Sequence, residues 1–148
     1  MNETTRQQVK RLTPAPLWQA ARASWYGLHR AVQWPAARFH PLRRQSIARL
    51  GEHKDAYRGR RAVIIGNGPS LKQTDLSRLR NEYTFGLNRI YLLFPELGFP
   101  TSFYLSVNSL VIEQCAEDIR LLPVPKFISW RSRGLIRPAE DLNYLFTT

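Results

Sequence analysis

The stretch Ala62-Val63-Ile64-Ile65-Gly66-Asn67-Gly68-Pro69-Ser70 decides the fold. Four apolar residues in an unbroken run, closed by glycine, read as a short strand buried on both faces, the pattern of a strand inside a parallel sheet. Gly66 to Ser70 is then the loop at its carboxyl end. Gly66 and Gly68 permit positive φ and close backbone approach, so that amide N–H groups can point at an anion. Pro69 fixes the turn. Ser70 can cap the following turn or donate to a phosphate oxygen. Asn67 brings a carboxamide that both donates and accepts, suited to a phosphate, a ribose or a base edge. A tight strand-to-turn junction with no ligand would use the same residues.

Downstream, the pattern repeats. A short helical turn near Asp75 to Arg80 leads to a second strand, Tyr83 to Leu87, ending at Asn88-Arg89. Ile90 to Leu97 suits a short helix, stopped around Gly98 and Pro100. Ser102 to Val107 reads as a third strand ending at Asn108, Ser109 to Leu122 as an amphipathic helix, and Lys126 to Trp130 as a fourth strand. Tyr144 to Phe146 is a last strand-like piece. This alternation calls for an α/β fold, a Rossmann-like parallel sheet with helices on its faces. A doubly wound domain would continue through further strands, so the expectation is an incomplete sheet. In open parallel sheets, ligands sit beyond the carboxyl ends of the strands, where strand order reverses. That rule nominates Gly66, Asn67, Gly68, Pro69, Ser70, Asn88, Arg89 and Asn108 as a nucleotide-binding set bordering one cleft.

Upstream, the texture differs. Residues 1–61 hold 13 Lys/Arg against three Asp/Glu, whereas residues 62–148 hold nine against eight. The basicity belongs to an N-terminal extension, and the first domain boundary is read at 61/62. Within it, Met1 to Pro16 is polar and proline-punctuated, a loose arm. Leu17, Trp18, Ala21, Trp25, Leu28 and Val32 fall on one helical stripe, giving a helix from Leu17 to Trp34 that Pro35 and Pro41 interrupt. A second helix fits Leu42 to Tyr57. Three roles suit this Trp-containing basic extension, and they rank in order. The first is a helical cover for the sheet, the second a helix on an anionic membrane surface, and a distant third a nucleic-acid face.

Met1 to Lys10 has no apolar run of the kind a secretory signal carries, and no stretch approaches the roughly 18 apolar residues of a membrane span. The expected location is cytoplasmic, soluble or peripheral to the inner membrane. Cys115, the single cysteine, lies at helical spacing from Ile112, Ala116 and Ile119 and reads as a small core residue.

Two common nucleotide motifs fail. A P-loop needs Gly-Lys-Ser/Thr after four intervening residues, which Ser70-Leu71-Lys72 does not supply. A dinucleotide fingerprint needs a third glycine where Leu71 stands, and an acidic residue roughly 20 positions on, near Asn88.

Three segments carry a family resemblance: Val63 to Lys72 continuing through Asp75 to Leu79, Thr84 to Phe94, and Val107 to Gln114. Together they resemble the N-terminal half of the 6-hydroxymethylpterin pyrophosphokinase MptE-like domain family, over about residues 58–130. The same pattern occurs in motility-associated proteins that glycosylate flagellin. The Gly-Asn-Gly-Pro-Ser-Leu loop is also similar to that of bacterial sialyltransferases using CMP-sialic acid. The resemblance implies that Asn67 and Asn88 hold a cytidine nucleotide, with Asn108 at a comparable strand end. Arg89 stands where the sialyltransferases have a neutral residue, and it could contact a diphosphate or pair with a local carboxylate. The cofactor implied is a CMP-linked sugar-nucleotide donor, or ATP with Mg²⁺ if the pyrophosphokinase chemistry holds.

The relatives continue well beyond this length, with a further strand ending in an aspartate-bearing turn and, in the sialyltransferases, a histidine base. Here His29, His40 and His53 all precede the sheet and read as surface positions. Asp75 suits a helix cap, and Glu113, Glu117 and Asp118 a solvated helix face. No catalytic base or metal site stands out. Three functions follow: the donor-binding part of a bacterial glycosyltransferase-like protein of surface or flagellar glycan assembly, a pterin pyrophosphokinase, or a non-catalytic nucleotide-binding module. The chain alone is expected to show no turnover.

Overall fold

Five apolar runs become strands: β1 (Ala62–Ile65), β2 (Tyr83–Leu87), β3 (Phe103–Ser106), β4 (Lys126–Ser129) and β5 (Leu142–Leu145). In the computed structural model, which describes residues 15–146, they form one sheet in the order β1-β2-β3-β4-β5, every pair parallel. The chain is therefore an α/β protein with a Rossmann-like parallel sheet. The four strands read from the sequence are present, and the Tyr144 piece belongs to a fifth.

Strands added always on the same side, with right-handed crossovers, put every connection on one face. The side chains agree. Alternation along the registers puts Thr84, Gly86, Tyr104, Ser106, Ile128 and Tyr144 on that face. There Tyr104 meets Tyr91 of the β2–β3 crossover, ring centres 6.4 Å apart. That crossover is a 3₁₀ turn, Ile90–Leu93, followed by a short helix, Phe94–Leu97, closed by Gly98 at φ 69°. The opposite face carries Phe85, Phe103 and Phe127. It is covered by the turn after the second helix, where His53 lies 5.5 Å from the Phe103 ring and Tyr57 lies 4.4 Å from Tyr83.

Four local readings change. The Ser109–Leu122 helix is two short ones, Ser109–Gln114 and Ala116–Leu121, broken at Cys115 (φ −124°, ψ 25°), whose side chain is buried as expected. The turn near Asp75–Arg80 is a 3₁₀ segment, Ser77–Leu79. The first helix, α1 (Ala15–Phe39), runs through Pro35. A helical proline loses one backbone bond, at about 3 kcal/mol, and here Ala31, Ala36 and Ala37 surround it with the strongest helix former. The second helix, α2 (Pro41–Glu52), stops before His53, earlier than Tyr57. The expected loose arm, Met1 to Pro16, lies almost wholly outside the described residues.

Among the described residues the chain divides into two compact units, one through Arg38 and one from Phe39 onward, earlier than the charge boundary at 61/62. α2 belongs with the sheet because it closes one edge. Ser46 Oγ accepts the Tyr144 N–H at 2.9 Å and donates to the Leu42 carbonyl at 2.8 Å. Arg49 donates to the Leu142 carbonyl at 3.4 Å. An edge strand's free backbone groups need such cover. Ser46→Ala would strand a buried N–H, so the expected loss is about 1–3 kcal/mol of stability, read as a lower urea midpoint.

Among the described residues the other edge is open: β1 pairs only with β2, and of its four residues only Ile65 is buried, while Ile64 is 71% exposed. The expectation of a strand buried on both faces is corrected: among the described residues β1 is an edge. Strand order also never reverses, so the crevice at a reversal point is absent among the described strands.

Candidate functional site

Parallel pairing brings the carboxyl ends of β1, β2 and β3 side by side, roughly 4.8 Å apart per strand. Ile65 is level with Gly86, and Leu87 with Leu105. Asn67 lies two residues past the last β1 pair, in unpaired loop, and the β2–β3 register carried one residue on sets Asn88 level with Ser106. That pair is joined directly: Ser106 Oγ donates to Asn88 Oδ1 at 3.1 Å.

The loop itself is bare. Gly66, Asn67, Gly68, Pro69 and Ser70 are all exposed, and a 3₁₀ turn, Pro69–Gln73, follows directly. Neither Gly66 nor Gly68 adopts positive φ, which corrects the conformational reason given for them. Packing does not require them either. A Cβ at Gly66 would meet nothing within 4 Å, and one at Gly68 only Ser70 Oγ at 3.7 Å. Ser70 does not cap the turn through its side chain; its carbonyl accepts from Thr74 Oγ1 at 3.0 Å. Beside the loop, a hollow of about 440 Å³ has Gly66, Gly68 and Ser70 at its rim and Ile64, Leu71 and Leu79 among its apolar walls. Asn67, Asn88, Arg89 and Asn108 do not line it.

The remaining nominated residues differ in kind. Asn88 sits at φ 52°, a left-handed conformation that Asn tolerates better than most residues, while its carboxamide is held by Ser106. Arg89 is exposed at the same strand end. Asn108 caps the Ser109–Gln114 helix, its Oδ1 accepting the Leu110 N–H at 3.1 Å. That is a local structural duty.

Sequence reading passed over Ser106. It is buried, and a serine after apolar residues at a strand end gave no signal until the register aligned it with Asn88.

Two of the histidines, His40 and His53, are partly buried rather than simple surface residues, while His29 is exposed as expected. His40 caps α2, its Nδ1 accepting the Leu42 N–H at 3.2 Å, and packs edge-on against Trp130 at 5.2 Å. His53, against Phe103 and Phe127, lies near the amino ends of the strands, opposite the loop. His29 is on α1 and bonds Gln33. Burial pushes the phenols of Tyr104 and Tyr91 well above their ordinary range, keeping both neutral. Tyr91 donates to Asp118 at 3.2 Å, so Asp118 is not merely solvated. Asp75 forms an Asx turn, accepting from the Ser77 amide at 3.0 Å and hydroxyl at 2.6 Å, which holds its carboxyl below the usual range. Among the described residues, no three His, Cys, Asp or Glu side chains converge as a metal site would need.

No protein-family model, curated protein or solved structure matches this chain.

Proposed function

We propose that the sheet unit binds a nucleotide or sugar nucleotide through the Gly66–Ser70 loop and Asn88. On this reading it is the donor-binding part of a glycosyltransferase-like protein of surface or flagellar glycan assembly, of the MptE-like kind. One observation carries the proposal. Gly66 and Gly68 are demanded neither by positive φ nor by neighbours, which leaves close approach of a ligand to their amides as the reason for glycine at both places. Asn67, between them, is exposed two residues beyond the end of β1 and has no hydrogen-bond partner among the described residues. A CMP-linked donor suits this set: backbone amides for phosphate oxygens, and carboxamides for the pyrimidine edge or ribose.

Calorimetry with CMP, UMP and ATP tests it. CMP should give heat, and Asn67→Ala should weaken binding by about 1–3 kcal/mol, the cost of one lost buried hydrogen bond. Gly66→Ala should leave the melting curve unchanged and still reduce affinity, because its methyl meets open space in the folded chain but would stand where the ligand approaches. No heat with any nucleotide would sink the reading and favour a module that keeps the loop without the ligand.

A further inference from the structure

The helix α1 has an amphipathic surface that the nucleotide reading does not use. Leu17, Ala21, Trp25, Leu28 and Val32 recur at spacings of four, four, three and four residues, which is one stripe of an α-helix. The stripe is bare: Leu17 is 61%, Trp25 65%, Leu28 63% and Val32 72% exposed. At about 100° per residue, Arg22 and Arg38 fall roughly 100° to either side of it, and Arg30 falls opposite. Arg22 is braced over the Tyr26 ring, 5.5 Å from its centre, and Trp25 and His29 are in ring contact at 6.4 Å.

Charge decides what such a stripe fits. No Asp or Glu occurs between Glu3 and Glu52. Two copies of α1 laid stripe to stripe would set arginines against arginines with no carboxylate on either helix to pair them. An anionic bilayer supplies the missing charge. Its headgroups meet cations flanking an apolar face, and its acyl boundary accepts Trp, Leu and Val to a depth of about 5–10 Å. The stripe from Leu17 to Val32 is about 22 Å long. No helix among the described residues is long and apolar enough to cross a membrane, so the geometry is that of a helix in the interface plane.

We propose that α1 is an interfacial helix that docks the chain on an anionic lipid surface, with Leu17, Trp25, Leu28 and Val32 in the acyl boundary and Arg22 and Arg38 on the lipid phosphates. The inference stands apart from the nucleotide site, since none of these residues belongs to the sheet unit.

Co-sedimentation of the full chain with phosphatidylcholine vesicles, with and without phosphatidylglycerol, is the test. The chain should pellet with the anionic vesicles and stay in solution with the neutral ones. Arg22→Gln with Arg38→Gln should weaken binding about thirtyfold, the product of two basic residues near a charged surface. Trp25→Glu with Leu28→Glu should abolish it. All four side chains are exposed, and far-UV circular dichroism with an unchanged melting point would show that the variants remain folded. Equal binding to neutral and anionic vesicles, or full binding by the double-Glu variant, would overturn the proposal. So would an oligomer in sedimentation velocity that dissociates on Trp25→Glu while the wild-type chain ignores vesicles, because the stripe would then be a protein contact.

Discussion

Gly86→Ala is expected to destabilise the sheet unit by about 3 kcal/mol, the upper end for overpacking a core, against a total of roughly 5–15 kcal/mol for a domain. A Cβ there would fall 2.5 Å from Ile90 Cγ2, 2.7 Å from Thr101 Oγ1 and 2.9 Å from Thr101 Cγ2. Neither neighbour can retreat. Ile90 is buried in the turn that leaves β2, and Thr101 is pinned by its hydroxyl, which donates to the Phe103 carbonyl at 3.0 Å. The glycine lets the β2–β3 crossover lie directly on the sheet two residues before Asn88, so the packing that needs Gly86 also sets where the candidate site begins. Urea unfolding would measure the loss. A change under about 0.5 kcal/mol, the usual range for surface substitutions, would show that the crossover does not pack this closely. Gly66→Ala is the matched control, a glycine with open space around it.

The contrast between these glycines explains how much of the molecule was legible in the sequence. Strand identity was, because short apolar runs alternating with helical segments leave little choice but a parallel sheet. The number of neighbours a strand has was not. Ala62-Val63-Ile64-Ile65 has the composition of a strand covered on both sides, but topology makes it an edge with Ile64 in the open. Local pattern records what a strand could bury, whereas partners arrive from elsewhere in the chain.

The site was half legible for the same reason. Glycine and asparagine at strand ends can be seen one by one, and parallel pairing sets three strand ends in a row. Which carboxamide is already occupied depends on neighbours. Asn108 spends its oxygen on a helix cap, and the Asn88 oxygen accepts a hydrogen bond from a serine eighteen residues on, in the next strand. Pro35 shows the limit of local rules in the other direction. A proline that should end a helix is carried inside one.

Asp141→Ala should cost about 3 kcal/mol, the low end of the range for breaking a buried ion pair from one side. Lys126, the first residue of β4, is fully buried, and its ammonium pairs with the Asp141 carboxylate just before β5. The same ammonium donates to the Leu122 carbonyl at 2.7 Å and the Val124 carbonyl at 3.2 Å, so it also satisfies the end of the Ala116–Leu121 helix. Removing the carboxylate leaves a buried cation held by two carbonyls alone. Lys126→Met should cost less: the apolar stem is kept, and Asp141, with a side chain 43% exposed, can turn to water. The expected order of thermal midpoints is wild type, Lys126→Met, Asp141→Ala, and the reverse order of the two variants would mean that the charge is not buried as described. The pair lies at the amino ends of the strands, away from Gly66–Ser70. Asp141→Ala should therefore lower the melting point while leaving nucleotide affinity unchanged in the folded fraction, the opposite signature to Gly66→Ala.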